Sequence, residues 1–150
     1  MLTVKKAQQL ILKKTPLQPA EKVLLNKASG RILAEDILSP VSHPLFDQSA
    51  VDGYAIQYND LPHHKKLLQK GEIKAGDFPQ HKIKAGETVR IFTGTAVPEG
   101  ADTVVMQEFV EKNGAFIQIQ DNNLKKGANI RKKGEQIKTG QLALAKGTTL

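Results

Sequence analysis

The chain has 150 residues, with 22 Lys and Arg against 15 Asp and Glu, a formal net charge of +7. Its 39% hydrophobic and 25% charged residues are ordinary for a soluble globular protein, and the length suits one domain or two small intertwined ones. The absence of cysteine excludes disulfides, thiolate metal sites and thiol catalysis. No apolar run approaches the ~18 residues of a membrane span, and Met1-Leu2-Thr3-Val4-Lys5-Lys6 is not followed by a signal-peptide core. The expectation is a cytoplasmic protein with no membrane partner. The positive charge is mostly lysine, with Arg only at Arg31, Arg90 and Arg131. Base readout and bidentate phosphate binding favour Arg, and 5% aromatics without Trp leave no stacking platform, so nucleic acid is not expected as a partner.

Val4, Ala7, Leu10 and Ile11 recur three and four apart between polar residues, which predicts an amphipathic helix ending before Pro16. Val23-Leu24-Leu25 is too short to separate a buried strand from a helical turn. Ile32 to Ile37 reads as a short helix or an extended entry into Leu38-Ser39-Pro40.

After Pro40 the apolar runs become short and are punctuated by Gly, Pro and Asp. They are Tyr54 to Gln57, Leu67 to Gln69, Thr88 to Phe92, Thr103 to Val110 and Ala115 to Gln120, a spacing that predicts a β-rich domain. Two β-prone runs flank Lys112-Asn113-Gly114-Ala115, where Asn-Gly offers the positive φ of a tight hairpin turn. His63-His64-Lys65-Lys66 could suggest a metal, but neighbouring residues on a strand face opposite ways, and the reading preferred is a solvated loop. Gly134 to Leu150 suggests strands and turns around Leu142-Ala143-Leu144 and stops in mid-pattern, as a cut chain would.

Three clusters could carry chemistry. In Phe46-Asp47-Gln48-Ser49-Ala50-Val51-Asp52-Gly53-Tyr54-Ala55, Asp52 can ligate a hard cation or accept a proton, or the Asp-Gly pair is simply a turn. In Arg90-Ile91-Phe92-Thr93-Gly94-Thr95, a strand empties into a loop whose hydroxyls and Gly94 backbone could cradle an oxyanion, or it is merely a strand end before Pro98-Glu99-Gly100. The loop lacks the Gly-Lys-Ser/Thr of a phosphate-binding P-loop. In Asn129-Ile130-Arg131-Lys132-Lys133-Gly134-Glu135, three consecutive cations suit an oxyanion or form a solvated basic turn. Glu108, closing Val104-Val105-Met106-Gln107, is a further carboxylate or a strand-face charge.

Taken together and in order, these motifs, with Val97-Pro98-Glu99-Gly100 and Val104-Val105-Met106-Gln107-Glu108 between them, resemble the molybdopterin molybdenumtransferase family, MoeA in bacteria, and the related E domain of gephyrin. The resemblance runs over nearly the whole chain. It implies an α+β, largely β fold: a discontinuous first domain of residues 1–38 plus 134–150, and an inserted β-rich domain of residues 39–133. The pterin-binding and carboxy-terminal domains of the family are absent from these 150 residues. It also implies insertion of molybdate into adenylylated molybdopterin, with Mg²⁺, releasing AMP. The implied protein is a homodimer with its site shared between subunits, a small-molecule substrate and a protein partner in the cofactor pathway.

By the same resemblance Asp52 and Thr93 are the catalytic candidates, Asp52 being also a possible metal ligand, while Arg131 and Ser49 are candidates for substrate or anion binding. Where the family usually has Gly-Glu-Asp, this chain has Gly134-Glu135-Gln136. Gln136 keeps a carbonyl oxygen but cannot act as a base and is a poorer cation ligand. A fragment supplying one wall of a composite site is expected to be inactive alone. Two other classes of function compete with the enzyme reading. One is a gephyrin-like scaffold binding a protein partner with relaxed catalysis. The other is a basic RNA-binding β domain, which would show steep salt dependence.

Overall fold

The computed structural model describes residues 2–64, 66–80 and 82–150. Lys65, within the predicted solvated loop, lies outside the described residues, while His63 and His64 are exposed. Among the described residues the fold is mostly β with one α-helix, the β-rich part lying where the strand spacing predicts.

Helix α1 spans Val4–Lys14. The Thr3 hydroxyl accepts from the Lys6 amide at its start, and Lys13 and Lys14 complement the negative end of its dipole. None of its residues is buried, so the apolar stripe of Val4, Leu10 and Ile11 lies open. The Val23-Leu24-Leu25 run leads into one turn of 3-10 helix, Leu25–Lys27, and the Ile32 to Ile37 stretch is not helical but bends at Ala34 and Glu35. That stretch ends in β1 (Ile37–Leu38), which pairs with β10 (Leu142–Leu144).

The chain divides into two compact units, Met1–Ile37 with Leu142–Leu150, and Leu38–Gln141. The second unit holds a six-stranded sheet. Its strands are β3 (Gly53–Ile56), β4 (Leu67–Ile73), β5 (Glu87–Ile91), β6 (Thr103–Met106), β7 (Val110–Asn113) and β8 (Phe116–Ile119), in the order β6-β3-β5-β4-β8-β7. Only the β4–β5 pair within it is parallel, and its register shifts between Gln69 and Glu72.

Both faces of this sheet are covered. Tyr54, Ile56, Leu67, Val105 and Ile117 pack on one side; Ala55, Ile83, Val89, Ile91 and Val104 pack on the other. This is why Gly53–Ile56 is buried at every position rather than at alternate ones. The second face is completed by Val51, Val97 and Ile130, each lying in one of the three motif-bearing segments. Hydrophobic burial thus anchors all three segments to one side of the sheet.

The predicted hairpin joins β7 to β8, with Asn113 opposite Phe116. The positive φ falls on Gly114, at +60°, while Asn113 is the last paired residue of its strand. The turn therefore carries its glycine at the first of two central positions, Gly114-Ala115, rather than using Asn and Gly together.

Candidate active site

The short strand β2 (Gln48–Ser49) is where the motifs meet. On one edge it pairs with β9 (Ile130–Arg131), Gln48 opposite Arg131 and Ser49 opposite Ile130. On its other edge Gln48 bridges Ala96, the Ser49 amide donates to the Thr95 carbonyl at 2.9 Å, and the Gly94 amide donates to the Ser49 carbonyl at 2.8 Å. Two interstrand spacings therefore separate the backbones of Arg131 and Ala96, about 10 Å. The alternation of side chains turns Ser49 and Thr95 inward, where both are buried, and leaves Arg131 exposed.

Asp52 and Thr93 are in direct contact. The Thr93 amide and hydroxyl both donate to Asp52 Oδ1, at 2.9 and 2.8 Å. These bonds, the amide first, hold the Asp52 carboxyl below the ordinary carboxylate range; slight desolvation opposes them and the nearby Arg90 charge assists. Asp52 is therefore an anion at neutral pH, with Oδ2 engaged by none of the described side chains. The Thr93 hydroxyl keeps its proton and points it at Asp52 Oδ1.

The loop after β5 does not form an anion nest. The Thr93 amide goes to Asp52, that of Gly94 to Ser49, that of Thr95 to the Phe92 carbonyl and that of Val97 to the Asp47 carbonyl. These four backbone donors fix the site rather than face outward.

Gly53 follows Asp52 for reasons of space. A Cβ at Gly53 would sit 1.9 Å from the Val105 carbonyl oxygen, so the strand pairs closely with β6 only because that atom is missing. The sequence suggests a sharp turn for this glycine, but its φ lies outside the left-handed region.

Arg131 lines a small pocket of about 250 Å³ with Pro44, Glu135 and Gln136. Among the described residues its guanidinium makes no ion pair. The segment carrying it is pinned to the strand entry by Asp47, whose two oxygens accept from Lys132 Nζ at 2.8 Å and the Lys133 amide at 2.9 Å. Partial burial works to raise the Asp47 pKa, but Lys132 and the Lys133 amide outweigh it and hold the carboxyl low. The Gly134 amide on the Pro44 carbonyl and the Gln136 amide on the His43 carbonyl complete the attachment.

Ser49 is fully buried and its hydroxyl donates to the Val51 carbonyl at 2.6 Å. It underlies the site and does not open onto it. Glu108 lies on the 3-10 turn Gln107–Phe109 and accepts from the Gln107 side chain at 3.2 Å. Among the described residues no group of three His, Cys, Asp or Glu side chains could hold a metal ion. The donors present do not fit a resident Mg²⁺, which prefers six oxygens and tolerates few protein ligands only when substrate phosphates supply others.

Sequence reasoning missed two organising residues, Asp47 and Arg90. Asp47 is one more carboxylate in an acid-containing loop, and nothing in its spacing reveals a partner near position 132. Arg90 opens the second motif without a role of its own there; a local hint is its neighbour Phe92, two residues along the same face.

The model of the MoeA N-terminal region (domain I and II) matches residues 2–150. The molybdopterin molybdenumtransferase of Haemophilus influenzae is 39% identical over 151 residues, covering 100% of this chain and 37% of that protein. That of a Nostoc species is 38% identical, covering 94% of this chain and 33% of its own length. Among solved structures, a molybdopterin biosynthesis MoeA protein from Pyrococcus horikoshii OT3 superposes with a TM-score of 0.81 at 39% identity, over 87% of this chain and 35% of that one. The chain thus spans about a third of the length of these relatives. Over that third it belongs to the MoeA N-terminal region family.

Proposed function

We propose that this chain forms one wall of the active cleft of a molybdopterin molybdenumtransferase, acting in molybdenum cofactor biosynthesis by inserting molybdate into adenylylated molybdopterin with release of AMP. The observation that carries the reading is the convergence of three distant segments on the two residues of β2, with Thr93 and Arg131 exposed and the Asp52 carboxylate ionised. Relatives bearing the transferase name match 100% and 94% of the chain.

In this reading Asp52 takes a leaving proton or orients a cation through Oδ2. Thr93 holds that carboxylate, and its hydroxyl can donate to a substrate oxyanion only by releasing Asp52, which couples the two groups. Arg131 holds molybdate or phosphate beside the Gln136 carbonyl, and Ser49 positions the strand beneath them. Mg²⁺ would arrive with the substrate's phosphates and take from this chain no more than the Asp52 carboxylate. The opposite wall, the pterin-binding surface, lies outside these 150 residues and comes from the partner subunit's further domain in a cytoplasmic homodimer of the longer protein. One wall cannot fix reacting groups against each other, so the 150-residue chain alone is inactive.

The test is a chimaera in which this chain replaces the corresponding segment of the Haemophilus influenzae relative. Molybdate insertion by the chimaera, its loss in Asp52→Asn and its absence from the chain alone support the proposal. An Asp52→Asn chimaera as fast as the parent overturns the site.

A further inference from the structure

Arg90, on β5, has no role in the proposed chemistry. It stands on β5 opposite Tyr54, and its guanidinium donates to the Gly53 carbonyl at 3.1 Å and to the Gln107 side-chain oxygen. The same group lies over two rings, with its central carbon 5.2 Å from the centre of Tyr54 and 4.9 Å from that of Phe92. Gly53 directly follows Asp52, Phe92 directly precedes Thr93, and the Gln107 amide donates to the Asp52 carbonyl at 3.1 Å. One side chain therefore touches the chain neighbours of both site residues and the residue that fixes the Asp52 backbone.

We propose that Arg90 is the positioning residue of the Asp52–Thr93 pair, a planar clamp that fixes the ends of β3, β5 and β6 around it. The inference rests on the reading that Asp52 and Thr93 face the substrate. The physical case is one of geometry. Three strand ends meet there, and backbone bonds alone leave each end free to fray. A guanidinium can bond in its own plane to oxygens on two strands while its faces lie on aromatic rings, which a lysine ammonium cannot do. Arg90 is the charge that acts on Asp52, and the Gln107 side chain, which accepts from Arg90, also donates to Glu108.

The test uses the 150-residue chain and reads the site amides by NMR, which separates it from any assay of turnover. In Arg90→Gln, hydrogen exchange of the Thr93 and Gln107 amides is expected to accelerate about tenfold relative to Val89 and Ala55 in the same strands, and the Thr93 amide resonance to lose its carboxylate-bonded shift. Arg90→Lys keeps the charge and is expected to restore less than half of that protection. Should Arg90→Gln fail to fold, Gln107→Leu removes the outer anchor from an exposed position, with the Thr93 amide expected to exchange faster in the same way. Equal acceleration of all strand amides would mark a merely structural role, and full rescue by lysine would mark charge alone; either result overturns the clamp. An inactive Asp52→Asn chimaera with an unperturbed Arg90→Gln amide spectrum would sink this inference while sparing the function.

Discussion

The Thr93 amide and hydroxyl converge on a single oxygen of Asp52, at 2.9 and 2.8 Å, and leave the other oxygen of that carboxylate unengaged among the described side chains. The pair is a fixed unit made from the end of one strand and the start of another, and its asymmetry gives Asp52 a held side and a working side.

Because the amide contributes most to the lowered Asp52 pKa, Thr93→Val removes only the second contribution. The Asp52 titration midpoint should rise in that variant yet stay below the ordinary carboxylate range, as followed by carboxyl ¹³C shifts against pH. A midpoint unmoved by the substitution would show that the hydroxyl does not bond the carboxylate in solution.

Asp47→Asn should loosen the basic segment rather than unfold the protein. The Lys132–Asp47 contact is solvent-exposed at 61% and 42%, so its loss costs about 0.5 kcal/mol or less. Asparagine still offers one oxygen to the Lys133 amide. The expected result is a near-unchanged urea midpoint with faster exchange of the Lys133 and Gly134 amides. In the chimaera it should raise KM more than it lowers kcat.

Gly53→Ala should be far more damaging. The added methyl would meet the Val105 carbonyl oxygen at 1.9 Å, a backbone atom in the middle of the sheet. Separation of β3 from β6 there should cost about 3 kcal/mol or more, measured by urea denaturation. A stability within 1 kcal/mol of the parent, roughly the scatter of an ordinary surface change, would mean the strands are not this close.

Asp102 offers a test of pH linkage. Its burial works to raise its pKa, but the Tyr58 amide at 2.7 Å, Lys126 and the Thr103 hydroxyl bring it below the ordinary value. A carboxyl depressed in the folded state stabilises above its unfolded pKa of about 3.9, and that stability disappears as pH falls through the folded value. Asp102→Asn should therefore lower stability at pH 7 by about 1 kcal/mol after solvent screening, and the two proteins should converge toward pH 2. A difference independent of pH would assign the effect to hydrogen bonding alone.

Much of the fold could be read from local pattern. The helix of Val4, Leu10 and Ile11 and the strands around Tyr54, Ile91, Val104 and Ile117 lie where period and punctuation put them. The hairpin at Gly114 was legible because its chemistry is contained in four residues. The parallel pairing of β4 with β5 was not, since a register between Leu68 and Glu87 leaves no trace in either strand's sequence. Nor were β2 and β9, because two residues cannot display a period. For the site, Asp52 and Thr93 could be named as candidates, but their bond joins positions 41 residues apart. Arg90 and Asp47 were missed for the same reason: their importance lies in what folding brings to them.

The brevity of β2 has an evolutionary and engineering consequence. Both of its edges are occupied, so a single residue inserted or deleted between Phe46 and Asp52 cannot be absorbed by sliding. It would turn Ser49 outward and Gln48 inward, and break the match with Ile130 and Thr95 together. This stretch should therefore accept exchanges of side chain far more readily than any change in its count, and grafts or loop transplants in this scaffold should leave those five intervening positions unaltered in number.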